Sequence, residues 1–366
     1  MPTFREAKIL EITEERADLV RARVSLPGSE GDGEIEAVGF PEMLGSLAAG
    51  DRVIVNTTGI ELGLGTGGMA FVLWNLDGGV PDAQLEGHIM KMRYTPWQTE
   101  VLTAESPESP HHDALAQVES IKGLPVVACT LHSQVAAIAA GIKEARPDAK
   151  VGYLMTDGAC LPIAWSDLVR DLKRVGLLDV TCTSGHAFGG DLESVTIFSG
   201  LAALKVVAGC DVVIAGMGPG VVGTGTTLGH TAIEQGHLLD ATSALEGKAI
   251  ACIRISYADT RSRHHGVSHH TLTALRLATH RRATVVLPDL GKDYNERVSS
   301  QIAGAGIHER HDVVTVDGIP GFAALVDRGI EPASMGRPMD EVRELFLAAA
   351  AAGRFAAIPI GKPEGR

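Results

Sequence analysis

The clearest indication of the fold is the segment Leu124-Pro-Val-Val-Ala-Cys-Thr-Leu-His-Ser-Gln-Val-Ala-Ala-Ile-Ala-Ala-Gly-Ile-Lys-Glu-Ala145. Its first six residues are a continuously apolar run, and the pattern from Ser133 onward is helical. A strand that is apolar on both faces and is followed by a helix is typical of a parallel sheet covered on both sides. The segment therefore predicts the first strand and the first helix of such a sheet.

The same alternation continues along the chain. A second helix is predicted over residues 166–175, and further strands are predicted over residues 150–155, 178–182, 211–215, 249–255, 283–288 and 312–316. Residues 340–352 predict a last helix, which Gly353 is expected to stop. This pattern predicts an α/β fold whose larger domain is Rossmann-like, with a mainly parallel sheet.

The chain before this region has a different pattern. Short β-type runs at residues 7–12, 17–25, 35–38 and 52–56 are separated by turn residues, which predicts a small β-barrel over residues 1–105. The segment Ser106-Pro-Glu-Ser-Pro-His-His-Asp113 is rich in proline and polar groups, so residues 106–113 are predicted to be a linker. The Rossmann-like domain then covers residues 114–357, and residues 358–366 form a loose tail.

The composition limits the classes of function. Hydrophobic residues make up 45% of the 366 residues and charged residues 21%, which argues against disorder. The net charge of -13 would repel a polyphosphate backbone, so we expect no nucleic acid partner. We find neither the apolar run of a signal peptide nor that of a bilayer-spanning helix, which predicts a cytoplasmic protein with no membrane partner. Small alanine and glycine faces, together with a marginal barrel, favour a homodimer.

The most polar loop is expected after the strand at 249–255. It reads Asp259-Thr-Arg-Ser-Arg-His-His-Gly-Val-Ser-His-His270, and loops at the carboxyl ends of parallel strands are where ligands bind. Ser268 is expected to cap a helix whose first turn holds His269 and His270, where the helix dipole disfavours a charged ring. We therefore predict catalytic roles for His264, His269 and His270 and anion binding by Arg263; a solvated polar turn is the alternative.

A glycine-rich loop is expected after the strand at 211–215. Gly218, Gly220 and Gly223 have the spacing GxGxxG, and such glycines let the backbone approach a phosphate closely. Pro219 interrupts the match to a dinucleotide fingerprint, and the acidic residue that should follow is missing. The loop predicts an anion-binding nest formed by Gly218, Gly220, Gly223, Thr224, Gly225 and Thr226. A nicotinamide or flavin cofactor and a purely structural turn stay open, so the cofactor is unknown.

Three carboxylates in the other exit loops are candidates for acid–base chemistry. Asp157, Asp191 and Glu193 could divide the acid and base roles, or could hold a divalent metal together with His132 and His264. The alternative for Asp191 is that it caps the following helix. Apart from the pair His265 and His269, no spacing fixes two histidine ligands on one element, so the sequence leaves a metal undecided.

Motifs spread over nearly the whole chain resemble a bacterial family known as domain of unknown function 3866. They are Leu64-Gly-Thr-Gly-Gly68, Arg93-Tyr-Thr-Pro96, Pro110-His-His112, Met155-Thr-Asp-Gly158, Ala187-Phe-Gly-Gly-Asp-Leu-Glu193, Gly218-Pro-Gly220, Gly223-Thr-Gly-Thr226, Gly266-Val-Ser-His-His270 and Met335-Gly-Arg337. The resemblance implies a barrel followed by an α/β domain and carries no established activity. In the family pattern the positions of His186, His230 and His265 often hold other residues, which lowers these three as catalytic candidates.

These observations lead to three hypotheses about function. The first is an enzyme that acts on a small anionic or phosphorylated metabolite by histidine and aspartate acid–base chemistry. The second is a non-catalytic protein that binds or senses such a ligand, and the third is an oxidoreductase with a nucleotide cofactor. The sequence alone leaves open whether the chain is an enzyme. All three require Asp157, the Gly218 turn and His269 to meet at one mouth of the sheet.

Overall fold

A computed structural model describes residues 1–27, 33–63, 68–78 and 87–358. The chain divides into two compact units, one formed by Met1–Glu86 with Met92–Glu100 and the other by Gly87–Lys91 with Val101–Arg366. Residues 106–113, expected to be a linker, belong to the second unit and lead into the short helix α3 (His112–Leu115). The expected tail from residue 359 onward and most of the glycine motif at 64–68 lie outside the described residues.

The first unit contains the predicted small barrel, closed by five strands in the order β1-β2-β3-β5-β4. Val53 and Val55 alternate with less buried neighbours along one strand, and such inward-facing residues form the barrel's core. The fifth strand, β5, was not predicted. The elements are β1 (Phe4–Glu15), β2 (Val20–Ser25), β3 (Glu34–Gly39), α1 (Pro41–Leu44), β4 (Arg52–Asn56), α2 (Thr58–Glu61) and β5 (Ala70–Asn75), and the short strands β6 (Ile89–Lys91) and β7 (Thr99–Val101) follow in the chain.

The second unit is built on a parallel sheet of eight strands in the order β11-β10-β9-β12-β8-β13-β16-β17. The predicted parallel sheet is therefore confirmed, although the run at 249–255 is divided because Ile255 pairs with Val267 in a separate two-stranded sheet. The strands are β8 (Pro125–Ala128), β9 (Val151–Thr156), β10 (Val180–Thr183), β11 (Leu192–Glu193), β12 (Val212–Met217), β13 (Lys248–Cys252), β14 (Ile255–Ser256), β15 (Gly266–Val267), β16 (Thr284–Pro288) and β17 (Asp312–Val316).

Helices cover both faces of this sheet. Successive strand residues belong to opposite cores, as Val127 faces one and Val126 and Ala128 face the other. One core includes residues of α4 (Gln134–Ala145), α5 (Asp167–Arg174), α10 (Ile319–Asp327) and α11 (Arg343–Ala357), and the other includes residues of α6 (Ile197–Val206), α7 (Glu234–Ala244) and α9 (Lys292–Gly304). Within the described ranges, every helix falls short of the length and apolar character that crossing a membrane requires.

The prediction that Gly353 stops the last helix is wrong, because α11 continues to Ala357. A Cβ at position 353 would lie 2.1 Å from the backbone oxygen of Ile138 in α4, and one at Gly141 would lie 2.3 Å from the oxygen of Ala350. The two glycines therefore allow two helix backbones to approach closely, rather than ending either helix.

Candidate functional site

The site lies at the carboxyl edge of the sheet, where β9, β12, β8 and β13 are neighbours. Two buried glutamines hold the exits of β8 and β13 together. Nε2 of Gln134 donates to the oxygen of Ile253, while its Oε1 accepts from the backbone nitrogens of Thr130 and Leu131. Nε2 of Gln235 donates to the last carbonyls of both strands, each over 2.8 Å. The loops that leave these strands therefore start from a fixed base.

Three exit loops meet in direct contact above this base. The backbone nitrogen of Cys160, in the loop after β9, donates to the oxygen of Pro219 over 3.1 Å. Gly223, in the loop after β12, lies so near the loop after β13 that a Cβ there would be 2.9 Å from Nε2 of His270. A Cβ at Gly225 would lie 3.6 Å from the guanidinium carbon of Arg263. We call the region where these loops meet the strand-exit mouth.

Four histidines, His230, His264, His269 and His270, form what we call the histidine cluster. Neighbouring ring centroids are 4.0–5.4 Å apart, and the rings of His230 and His270 are stacked at 4.0 Å. As predicted, Ser268 caps α8 (His269–Thr273) by accepting from the backbone nitrogen of His270. The same hydroxyl lies 2.7 Å from Nδ1 of His264, so one serine both starts the helix and orients a ring.

The rings of the histidine cluster are neutral, because burial strongly disfavours their charged forms. Burial, reinforced by neighbouring basic groups, lowers the pKa of His270 to about 2 and that of His264 to about 3. Burial also lowers the pKa values of His230 and His269 below their ordinary value. Rings with such low pKa values are weak proton acceptors at neutral pH, so they are better suited to act as hydrogen-bond donors.

Arginines surround the histidine cluster with more positive charge than the nearby carboxylate neutralises. Arg261 makes a two-pronged contact with Asp259, and Arg254 lies 3.7 Å from the same carboxylate. Burial, together with the positive charges of Arg261, Arg263 and Arg337, lowers the pKa of Arg254 to about 10. Arg263 is exposed and makes no hydrogen bond or ion pair with another described residue. Two guanidinium groups, those of Arg254 and Arg261, thus share the carboxylate of Asp259, and Arg263 and Arg337 add positive charge near Arg254.

Several ring nitrogens of the histidine cluster have no partner within the described part of the chain. His230 is only 7% exposed, and both of its ring nitrogens are buried without a hydrogen bond. Nε2 of His269 is in the same state. One nitrogen each of His230, His269 and His270 lie within 4.8 Å of one another, and this is the group of three among the described residues that could hold a metal ion.

The glycine-rich loop is folded on itself by its threonines. The hydroxyls of Thr224 and Thr226 lie 3.0 Å apart, the first donates to the oxygen of Gly229, and the second accepts from its nitrogen. Gly220 and Gly225 have φ angles of +117° and +82°, which favour glycine. The threonine hydroxyls therefore close the loop, and its contact with the cluster is made by the glycine backbone. Anion binding by this loop stays a prediction.

The predicted carboxylates are not brought together. Asp157 lies at the strand-exit mouth, where its Oδ2 accepts from the backbone nitrogen of His186 over 2.9 Å. Asp191 accepts from Nζ of Lys173 and from the backbone nitrogen of Thr181, and it does not cap α6, whose cap is Thr196.

Glu193 belongs to a buried ion pair instead of the histidine cluster. Its carboxylate accepts from Nζ of Lys91, a side chain with no exposed surface, and from the hydroxyl of Thr183. Glu193 belongs to the edge strand β11, and Asp191 directly precedes it. This strand lies five strand positions from β13, which places β11 and β13 about 24 Å apart. Because each already has a cation and a hydrogen-bond donor as partners, these two carboxylates stabilise the edge of the sheet.

Two other histidines named in the sequence analysis also lie outside the cluster. His132 is held between the hydroxyls of Ser166, at 2.7 Å, and Tyr153, at 3.1 Å, and burial lowers its pKa to about 4. His265 turns away from His269 and packs edge-on against Tyr257, with centroids 5.3 Å apart. The spacing of His265 and His269 therefore does not place two ligands at one point.

The sequence analysis did not name Glu234 or Arg254, and it ranked His230 below the other histidines as a catalytic candidate. The structure places all three at the strand-exit mouth. Glu234 begins α7, and its Oε2 is buried without a partner among the described residues. This oxygen lies against the loop after β9, since a Cβ at Gly158 would be 2.6 Å from it. Burial raises the pKa of Glu234 to about 7, and the negative charge of Asp157 contributes. An acidic residue at the first position of a helix that follows an exit loop was the available signal.

Fold and site together define a two-unit protein with a barrel and a parallel α/β unit, whose exit loops carry an arginine-bordered histidine cluster. The chain belongs to the family described as proteins of unknown function, DUF3866, whose family model matches residues 36–353. This confirms the resemblance seen in the sequence motifs. Neither a search of curated proteins nor a search of solved structures finds a match.

Proposed function

We propose that the chain is an enzyme that binds a small anionic metabolite at the strand-exit mouth and performs acid–base chemistry on it. The observation that carries this proposal is the charge of the mouth. Arg261, Arg263 and Arg337 are close enough to Arg254 to lower its pKa, while the carboxylate of Asp259 contacts Arg254 and Arg261. In a chain of net charge -13, such a local excess of guanidinium groups favours an anion.

Arg263 is the residue best placed to contact the anion first. Its guanidinium is exposed, has no partner among the described side chains, and lies beside Gly225 of the glycine-rich loop. Guanidinium groups bind carboxylate and phosphate through two parallel hydrogen bonds, and phosphate offers more acceptor oxygens than carboxylate. The substrate class that fits best is therefore a phosphorylated metabolite.

Glu234 is the group whose pKa suits general acid–base catalysis. A catalytic group works best when its pKa is close to the working pH, and burial brings the pKa of Glu234 to about 7. The pKa values of His264 and His270 are too low for that role at neutral pH. In this proposal Glu234 moves the proton with Asp157 beside it, and the histidines bind and orient the substrate.

Thermal denaturation of the full chain with phosphate, pyrophosphate and a library of phosphorylated metabolites, in the presence of a chelator, tests anion binding. A ligand at 100 times its Kd stabilises the native state by about 2.7 kcal/mol. Arg263→Ala should abolish most of this stabilisation. Arg281→Ala is the control. It removes another exposed arginine, which lies just before β16 at the amino ends of the strands, and it should leave the stabilisation by the ligand unchanged. Failure of every anion to stabilise the chain would contradict the proposal.

Turnover distinguishes the enzyme from the two alternative functions. Ligands that stabilise the chain are incubated with it and followed by nuclear magnetic resonance, and Glu234→Gln should stop turnover while binding persists. Binding of a ligand that is never converted would favour a sensing or regulatory protein. Stabilisation by a nicotinamide or flavin nucleotide, with hydride transfer, would favour the oxidoreductase.

The proposal keeps the homodimer and the cytoplasmic location that the sequence favours. Light scattering after gel filtration gives the mass of the particle in solution, and the proposal expects twice the chain mass of 38.4 kDa. A particle of the chain mass would refute the dimer and leave the anion site unaffected. Fractionation of cells that express the tagged chain tests the location.

A further inference from the structure

We propose that His230, His269 and His270 bind one divalent transition metal ion of the zinc or cobalt type. Three observations carry this proposal: the mutual distances of the ring nitrogens, the lack of a hydrogen-bond partner among the described residues for both ring nitrogens of His230 and for Nε2 of His269, and the chemistry of the donor set. The three-histidine site does not depend on the proposed function. Its role in holding the anion, described below, does.

The geometry brings three ring nitrogens from two loops to one point. His230 ends the glycine-rich loop, where it forms a backbone bridge with Gly223, and His269 and His270 begin α8. Their ligand atoms lie within 4.8 Å of one another. In a tetrahedral zinc site the ligand nitrogens are about 3.3 Å apart, so binding draws the rings together by up to about 1.5 Å. The stacked rings of His230 and His270 must rotate for their lone pairs to converge.

The ring nitrogens are also available. His230 is more than nine-tenths buried, and neither of its ring nitrogens has a hydrogen-bond partner among the described residues, nor has Nε2 of His269. Buried polar atoms are rarely left unsatisfied, which indicates a missing partner.

The contact between Arg254 and His270 opposes metal binding, but only weakly. Nη1 of Arg254 donates to Nδ1 of His270, which leaves the ring proton on Nε2. A metal at Nε2 would replace that proton and give up the contact. At 3.4 Å this is a long hydrogen bond, so its loss should weaken metal binding by no more than about tenfold. A tenfold loss is small beside the affinity that three imidazole ligands provide for zinc-type ions.

Three imidazoles leave a fourth position open, which is the arrangement of catalytic rather than structural zinc sites. Imidazole donors select zinc-type ions over magnesium and calcium, which prefer oxygen ligands. The arginines make the site unfavourable for a cation alone, and an anion at the fourth position would restore the balance. If the proposed function holds, phosphate should therefore raise the affinity for the metal, and the metal should raise the affinity for phosphate by the same factor.

Titration of the chelator-treated full chain with Co²⁺ in phosphate-free buffer tests the metal site. We expect one Co²⁺ per chain, with the visible absorption of a four-coordinate ion. His269→Ala is the main variant because this ring is only half-buried, and it should weaken binding at least about 100-fold. His230→Ala should do the same if circular dichroism shows that it folds. His265→Ala, a neighbour that faces Tyr257 instead, should bind as the unaltered chain does.

The proposal is overturned if the chain binds less than one Co²⁺ specifically, or if His269→Ala binds it as tightly as the unaltered chain. Equal loss in His265→Ala would also overturn it, because the effect would then not be specific to the three ligands. Cobalt binding without stabilisation by phosphate, pyrophosphate or any metabolite of the library would support the metal site and refute the proposed function. Stabilisation by phosphate in the presence of chelator, without cobalt binding, would support the proposed function and refute the metal site.

Discussion

Replacing Glu234 with glutamine should stabilise the protein at alkaline pH and leave its stability unchanged in acid. In the folded chain burial raises the pKa of Glu234 from 4.5 to about 7. The folded state therefore favours the neutral carboxyl, whereas the unfolded chain ionises it above pH 4.5. The free energy of unfolding consequently falls as the pH rises from 4.5 to 7. A difference of about 2.5 in pKa corresponds to about 3 kcal/mol, and the unaltered chain has lost this much of its free energy of unfolding above pH 8.

Urea denaturation between pH 4 and pH 9, followed by circular dichroism, measures this effect. Glu234→Gln should exceed the unaltered chain by up to about 3 kcal/mol at pH 8 and match it near pH 4. Asp191→Asn provides a control of opposite sign: burial raises the pKa of Asp191, but Lys173 and Thr181 outweigh it and lower the pKa overall. That variant should be less stable at pH 8, and the difference should vanish in acid. A Glu234→Gln difference that is independent of pH would refute the reasoning.

Three further substitutions test the packing and the site. Lys91→Met leaves the buried Glu193 without its cation and should lower the free energy of unfolding in urea by about 3–5 kcal/mol; a loss below 1 kcal/mol would contradict the buried ion pair. Gly353→Ala places a Cβ 2.1 Å from a backbone oxygen of α4 and should cost at least about 1–3 kcal/mol, whereas Gly304→Ala, with nothing within 4 Å, should not destabilise. Gly223→Ala places a Cβ 2.9 Å from a ring nitrogen of the histidine cluster and should weaken Co²⁺ binding at least about tenfold in a chain that still folds.

The sheet was predictable because its signal is local. Each central strand is a short apolar run followed by turn residues and a helix, and this pattern identified the seven longer strands of the eight. The order of the strands was not predictable, because β12 lies between β8 and β9 only through contacts far apart in sequence. Gly353 shows a similar limit, since a glycine that ends a helix and one that allows two helices to touch look alike in a single sequence.

The site was predictable where one loop carries several functional side chains. The loop from Asp259 to His270 supplied Ser268 as a cap and three of the four rings of the histidine cluster. His230 and Arg254 could not be placed, because only the folded chain brings the ends of the loop after β12 and of β13 together. Glu193 was an equally good candidate for acid–base chemistry in the sequence. Its ion pair could not be foreseen, because Lys91 lies 102 residues away in the chain.

Anomalous X-ray diffraction at the zinc edge, from crystals of the full chain grown with zinc and phosphate, tests the central claim most directly. The account predicts an anomalous peak about 2.0–2.1 Å from one ring nitrogen each of His230, His269 and His270, with phosphate between the metal and Arg263. Zinc bound elsewhere, or a strand-exit mouth that holds neither ion while both are present in excess, would contradict it.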